Sequence, residues 1–214
     1  MPVRAQYPAM LDVTDRKIVI VGGGQVALRK AHGLLAAGAT DIWSVAPQHR
    51  DEMPEAVKRI VAAFEPGHLD GAGLVLAATD SAEVNDQVVA CARQRGIWVN
   101  RADFQEDQFG DFTTPAVLRQ GPLTVTVSAG GSPTLAAKVR DELKHHLDPR
   151  WSEMASVMQE LRPTILASPK LSSDRCKLLF VELAGDAAMT VLATRGREGF
   201  QSWLLERYPE LAQT

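Results

Sequence analysis

From residue 17 onward, short apolar runs alternate with stretches in which apolar residues recur every three or four positions. Lys17-Ile18-Val19-Ile20-Val21 is a β-branched run that ends at Gly22, and Ala27, Ala31, Leu34 and Leu35 then repeat at helical spacing. The pattern predicts a buried strand followed by an amphipathic helix that stops at Gly38. It repeats: Ile42 to Ala46 reads as a second strand stopped by Pro47, Val61 to Phe64 as a weak third, Leu74 to Ala78 as a strong fourth and Ile97 to Asn100 as a fifth. Between the last two lies a helix with Val84, Val88, Cys91 and Ala92 on one face, and Asp80 with Glu83 has the spacing of a capping box. Before the glycines, Ala9 to Val13 has the makings of one more short strand, separated by the polar turn Thr14-Asp15-Arg16.

Strands alternating with helices imply a parallel, doubly wound sheet, which binds ligands beyond the carboxyl ends of its strands. The positions that matter are then Gly22 to Val26, Pro47 and Gln48, Thr79 and Asp80, and Asn100 to Asp103. Gly22-Gly23-Gly24-Gln25-Val26-Ala27 has the form G-x-G-x-x-A, in which Gly22 allows a tight turn, Gly24 admits a pyrophosphate and Ala27 keeps the helix near the sheet. Unpaired amides at the new helix N-terminus suit phosphate. The acid that usually grips the ribose after the second strand is missing; Pro47-Gln48-His49-Arg50 stands there instead. Gln48 can bond a ribose and Arg50 can tolerate an extra phosphate, so NAD and NADP both stay open.

Near residue 113 the rhythm changes. Leu123 to Ser128 alternates apolar and hydroxyl residues and runs into Ala129-Gly130-Gly131-Ser132-Pro133, where Ser132 suits a helix cap and Pro133 a first turn. This second glycine loop serves equally as an anion site or as a plain strand-to-helix turn. From Trp151 on the chain reads as helical, with Trp151, Met154, Met158 and Leu161 on one stripe, Cys176, Leu179, Phe180 and Leu183 on another, and Pro163 and Pro169 breaking the run.

Composition narrows the classes. An apolar content of 45% with 23% charge describes a globular protein, and the balance of 23 basic against 26 acidic residues has no surplus for nucleic acid. No apolar run approaches membrane-spanning length and no signal pattern opens the chain, so neither membrane nor export is expected and the cytoplasm is the expected location. Cys91 and Cys176 fall on apolar stripes and read as small buried hydrophobes. There is no C-x-x-C or H-E-x-x-H, and no resident metal is expected. Asp103, just past the fifth strand, is placed either to accept a proton or to cap its loop.

Taken together, Gly22 to Ala27 with Arg29-Lys30-Ala31, Ala77 to Asp80 with Val84-Asn85, Asn100 to Asp103, Phe112 to Pro115 and Val127 to Gly131 resemble the precorrin-2 dehydrogenase and sirohydrochlorin ferrochelatase family, the siroheme synthase N-terminal module. The resemblance covers roughly residues 5–150. It implies a homodimer of a Rossmann NAD-binding domain (1–113), a dimerisation region (114–150) and a helical C-terminal domain (151–214). It implies oxidation of precorrin-2 to sirohydrochlorin with NAD⁺, followed in some members by insertion of Fe²⁺ as a second substrate. Gln25, Val26, Pro47 and Gln48 fall where the family contacts NAD, beside Gly22, Gly24, Thr79 and Asp80; Asp103 falls on its key aspartate. For a substrate with eight carboxylates, Arg101, Arg119, Lys138, Ser128, Gly130 and Gly131 are the candidate contacts. Ala129 stands where some members carry a phosphorylatable serine, and the methyltransferase domain fused to some relatives is not expected in a chain ending at Thr214. The rival reading is a nucleotide-sensing module that binds without turnover.

Overall fold

The computed structural model describes residues 6–103 and 110–211. They divide into two units, residues 1–114 and 115–214 of the chain.

In the first unit the apolar runs become β1 (Lys17–Val21), β2 (Asp41–Ala46), β3 (Val57–Val61), β4 (Leu74–Ala77) and β5 (Trp98–Arg101). All pair in parallel, in the order β3-β2-β1-β4-β5. Such a sheet needs crossovers that cover both faces, and its central strands β1 and β4 are accordingly apolar on both sides. Ile18, Ile20, Ile42, Leu74 and Leu76 pack against Ala27, Leu28 and Ala31 of α1 (Gln25–Leu35). On the other face Val19, Val21, Val75, Ala77 and Val99 pack with Val88, Val89 and Ala92 of α2 (Ala82–Gln94). Chain order reverses between β1 and β4, which is where a sheet of this kind opens a crevice.

Several expectations need correction. Ala9 to Val13 forms no strand; only Val13 is buried there, while Tyr7 and Met10 are exposed. The third strand lies earlier than expected because Val57-Lys58-Arg59-Ile60-Val61 is a sheet edge that keeps charged side chains in solvent. The cap of α2 is Ser81, whose hydroxyl accepts from the amide of Val84 at 3.3 Å, rather than Asp80. Arg101 ends β5 instead of following it. Cys91 is only half-buried.

The outer edge of β5 does not stay open. The amide of Asp111 donates to the Val99 carbonyl at 2.6 Å, and the Val99 amide donates to Asp111 Oδ2 at 3.0 Å. Gly110 passes so near that a Cβ on it would lie 2.5 Å from the Val99 carbonyl oxygen.

The second unit opens with an antiparallel hairpin, β6 (Ala116–Gln120) and β7 (Leu123–Val127), turned at Gly121 with φ 55°. Helices α3 (Pro133–His146), α4 (Pro149–Ala167), α5 (Ser173–Leu183) and α6 (Asp186–Arg207) follow, the last bent at Gly196, whose φ is 65°. Met154, Ile165, Leu179, Leu183, Phe200 and Leu204 share one core. Pro163 does not break α4 but sits inside it; Pro169 lies just beyond its end. Among the described residues no helix is long and apolar enough to cross a membrane.

Candidate active site

The first glycine turn is built from three residues with three different jobs. Gly22 has φ 133°, and a Cβ on it would come within 2.2 Å of the Ala78 carbonyl oxygen, so the end of β1 lies directly against the end of β4. Its own carbonyl accepts from the buried hydroxyl of Ser44 at 2.9 Å. Gly23 presses against the loop after β2, where a Cβ would sit 2.1 Å from the Gln48 carbonyl oxygen, and its carbonyl accepts from the Arg50 amide at 3.0 Å. Gly24 is the contrast. It is exposed, a Cβ on it would meet nothing within 4 Å, and as N-cap of α1 it brings no side chain to the helix amides. The turn is therefore pinned on two sides, with its third residue and the helix N-terminus left facing open space.

Gln25, Pro47 and Gln48 are exposed around that space and Val26 is half-buried. Arg50 is paired with Glu52 at 2.8 Å. Lys30, further along α1, donates to Thr114 Oγ1, and burial, helped by neighbouring Arg29, pushes its amine down to about 8.

After β4, Thr79 is held by Asn85, which is fully buried on α2. Asn85 Oδ1 accepts from the Thr79 amide at 3.1 Å and from its hydroxyl at 2.8 Å, while Asn85 Nδ2 donates to the Thr79 carbonyl at 3.0 Å. Asp80 is exposed beside it. Sequence reasoning did not give Asn85 this part, although an amide among Val88, Val89 and Ala92 on a buried helix face was the available signal. Ser44 within an apolar strand was another.

After β5, Asp103 is clamped. Arg101 Nε donates to Oδ1 at 2.8 Å and Nη2 to Oδ2 at 2.9 Å; Nη1 pairs with Asp86 of α2, and Nη2 also reaches the Ala82 carbonyl at 3.4 Å. The Arg101 side chain is 1% exposed and that of Asp103 27%. Burial raises the Asp103 carboxyl, but hydrogen bonds from Arg101, Asn85 and its own backbone, with the guanidinium charge, outweigh it and hold the group below the usual carboxylate range. Arg101 is correspondingly held charged, first by Asp103 and then by Asp86. Arg101, a candidate contact for substrate carboxylates in the sequence, is a buried ion-pair partner here. Asn100, 2% exposed, donates to the Phe112 carbonyl at 2.9 Å, and its Oδ1 has no partner among the described residues.

Because β4 lies between β1 and β5, Thr79 stands between the glycine turn and Asp103. The turn fits a dinucleotide: an open cradle at Gly24, an uncapped helix N-terminus and an unfilled buried acceptor two strands away. In the second unit, Arg119, Ser128, Gly130, Gly131 and Lys138 are all exposed; Gly130 and Gly131 have φ 56° and 87°. Ser132 caps α3 by accepting from the Leu135 amide at 3.3 Å.

A family model described as putative NAD(P)-binding matches residues 9–116. The siroheme synthase of Chromobacterium violaceum is 37% identical over 167 residues, covering 75% of this chain and 35% of that protein. The siroheme synthase of Tolumonas auensis is 32% identical over 206 residues, 94% of this chain and 43% of the other. The chain thus spans less than half the length of these curated relatives. Among solved structures, SirC, a precorrin-2 dehydrogenase, matches with a TM-score of 0.74 at 27% identity, covering 95% of this chain and 100% of that one.

Proposed function

The chain belongs to the precorrin-2 dehydrogenase and siroheme synthase family, with a nicotinamide-binding domain, and from that premise we propose that it oxidises precorrin-2 to sirohydrochlorin with NAD⁺. The observation that carries the reading is the pairing, within one unit, of an unfilled glycine turn after β1 and a held carboxylate after β5. Gly24, the α1 amides, Gln25 and Val26 would hold the pyrophosphate, Pro47 and Gln48 the adenosine side, and Thr79 and Asp80 the middle of the cofactor. Bound there, NAD⁺ supplies the hydride acceptor. We choose NAD⁺ over NADP⁺ because Arg50, the nearest cation in the loop after β2, is already paired with Glu52, and an extra phosphate would have to compete for it.

Dehydrogenation removes a hydride and a proton. Asp103 is anionic in its clamp and takes the proton on a second lone pair of a carboxylate oxygen while the Arg101 fork stays in place; the proton then passes to water. Arg119 and Lys138, exposed on the second unit, are proposed to bind substrate carboxylates, with Ser128, Gly130 and Gly131 as further donors.

The test is anaerobic incubation with precorrin-2 and NAD⁺, followed by absorption. Sirohydrochlorin formation is expected; nucleotide binding without any spectral change would instead favour the sensing module. Adding Fe²⁺ to the same mixture reports metal insertion as a separate spectral step. Asp103→Asn is expected to lower kcat about a hundredfold or more while leaving the KM for NAD⁺ in place.

The homodimer and the three-part division at 113 and 150 belong to the same proposal. On α3, Leu135, Val139 and Leu143 are 52%, 39% and 41% exposed at successive helical turns, beside Val117 on a hairpin of only two strands. A two-stranded sheet is marginal alone, and an open apolar pocket of about 350 Å³ lies along β7, lined by Leu123, Val125 and Trp151. We propose that a second copy of the chain covers this apolar face in an isologous contact. Sedimentation should give a dimer for the wild type and a monomer for Val139→Lys.

A further inference from the structure

We infer that Arg101 is a positioning residue: clamped between Asp86 and Asp103, it fixes the orientation of the Asp103 carboxylate for the reaction. The inference rests on the dehydrogenase reading and assigns to Arg101 a role other than substrate binding.

The geometry is that of a fork. Two adjacent nitrogens of one guanidinium engage the two oxygens of Asp103 at 2.8 and 2.9 Å, which sets the plane of the carboxylate as a single contact could not. The third nitrogen faces Asp86, and the Ala82 carbonyl takes a further, longer contact at 3.4 Å. All of this is out of solvent on the arginine side, with 1% of the side chain exposed, so the fork has little freedom to swing away. Among the described residues, the groups facing Asp103 are Arg101 from β5 and Asn85 from α2, with Asp86 reaching it through Arg101.

One turn of helix sets both halves of the site. Asn85 holds Thr79 after β4, and its neighbour Asp86 holds Arg101, so the cofactor loop and the carboxylate are referenced to the same two residues of α2. Arginine in this place also solves an electrostatic problem. Without it, Asp103 would keep its burial but lose the hydrogen bonds and the positive charge that offset it, and its carboxyl would hold its proton into a higher pH range. A lysine would restore the charge but not the fork, because its ammonium is a point donor.

The experiment compares wild type, Arg101→Gln and Arg101→Lys in three measurements: kcat against pH, KM for NAD⁺, and the titration of Asp103 followed by carboxyl carbon NMR. For Arg101→Gln the Asp103 titration and the acid limb of kcat should both move up by about one to two pH units, with KM for NAD⁺ within about twofold. For Arg101→Lys the titration should stay near that of wild type while kcat falls about tenfold at every pH, because orientation is lost and charge is not. A merely structural arginine would lower the melting temperature and leave the limb and the titration where they were, and that result overturns the proposal. So does full kcat in Arg101→Lys, which also serves if Arg101→Gln does not fold. The NMR titration reads the Arg101 effect without turnover; if it moves in Arg101→Gln while Asp103→Asn still oxidises precorrin-2 at the wild-type rate, the base assignment has failed and the electrostatic clamp has not.

Discussion

Two turns in this chain lead from a strand through consecutive glycines into a helix, and they are built on different principles. At Gly22 to Gly24, two glycines are consumed by packing and the third is left bare, and no side chain caps α1. At Gly130 and Gly131 both residues take positive φ to reverse the chain, a Cβ on Gly131 would meet nothing within 4 Å, and the helix that follows is capped by its own Ser132. A capped helix has already satisfied one of its free amides, whereas an uncapped one keeps them for a ligand. The helices differ as well. On α1 even Lys30 is drawn out of water, while on α3 Lys138 remains exposed and Ala136 is the one buried residue. The first turn is part of a core with one opening; the second is a surface feature.

Substitutions can break that contrast at either end. The largest effect is expected at Gly22→Ala, where a β-carbon 2.2 Å from a carbonyl oxygen adds a clash to an unfavourable φ; a loss of about 3 kcal/mol or more in denaturant unfolding is expected. Next comes Gly24→Asp, which has room for its side chain but places a carboxylate in the cradle. Calorimetry should show NAD⁺ affinity down about a hundredfold, near 2.7 kcal/mol, with the melting temperature hardly moved. If both variants merely destabilise, Gly24 is packing like its neighbours and the contrast is false.

Lys30 sharpens the difference between the helices through pH. Its folded-state value of about 8 lies below the unfolded one, so the folded chain carries the cost of a desolvated charge below pH 8 and sheds it as the amine deprotonates. Stability should therefore rise between about pH 8 and 10.5, by roughly 1–3 kcal/mol, and Lys30→Met should flatten that rise. The smallest effect belongs to the second turn. Ser132→Ala removes a cap and should cost about 1 kcal/mol without changing NAD⁺ affinity.

What could be read beforehand follows the same division between local and distant causes. The strand into Gly22 and the helix at Ser132 were legible because periodicity, glycine and a capping residue lie within a few positions. The third strand is hard to place from sequence because Lys58 and Arg59 interrupt its apolar pattern, and nothing local says that they stand on an edge. Pro163 alone predicts a break, yet packing around Ile165 and Val157 keeps α4 running through it. Asp103 could be picked out by its place after a strand. Its state could not, because the partner beyond Arg101 is Asp86, 15 residues back on another element. The Asn85 clasp on Thr79 escaped for the same reason, since a polar side chain inside a helix face shows its purpose only when the loop it holds is in view.

The contact between Asp111 and Val99 has a consequence for how the protein behaves in crowded solution. A parallel sheet has two rims, and each bare rim is a template on which another polypeptide can add itself. Here Asp111 imitates a sixth strand along one rim with its amide and its carboxylate, while the other presents Lys58 and Arg59 with Val61 bare beside them. One rim is thus covered at Val99 by hydrogen bonding, while the other is defended by Lys58, paired with Asp41, and Arg59. Salt, which screens charge and leaves hydrogen bonds almost untouched, should expose the second rim first, so that self-templated growth in concentrated salt would begin at β3 and leave the β5 side intact.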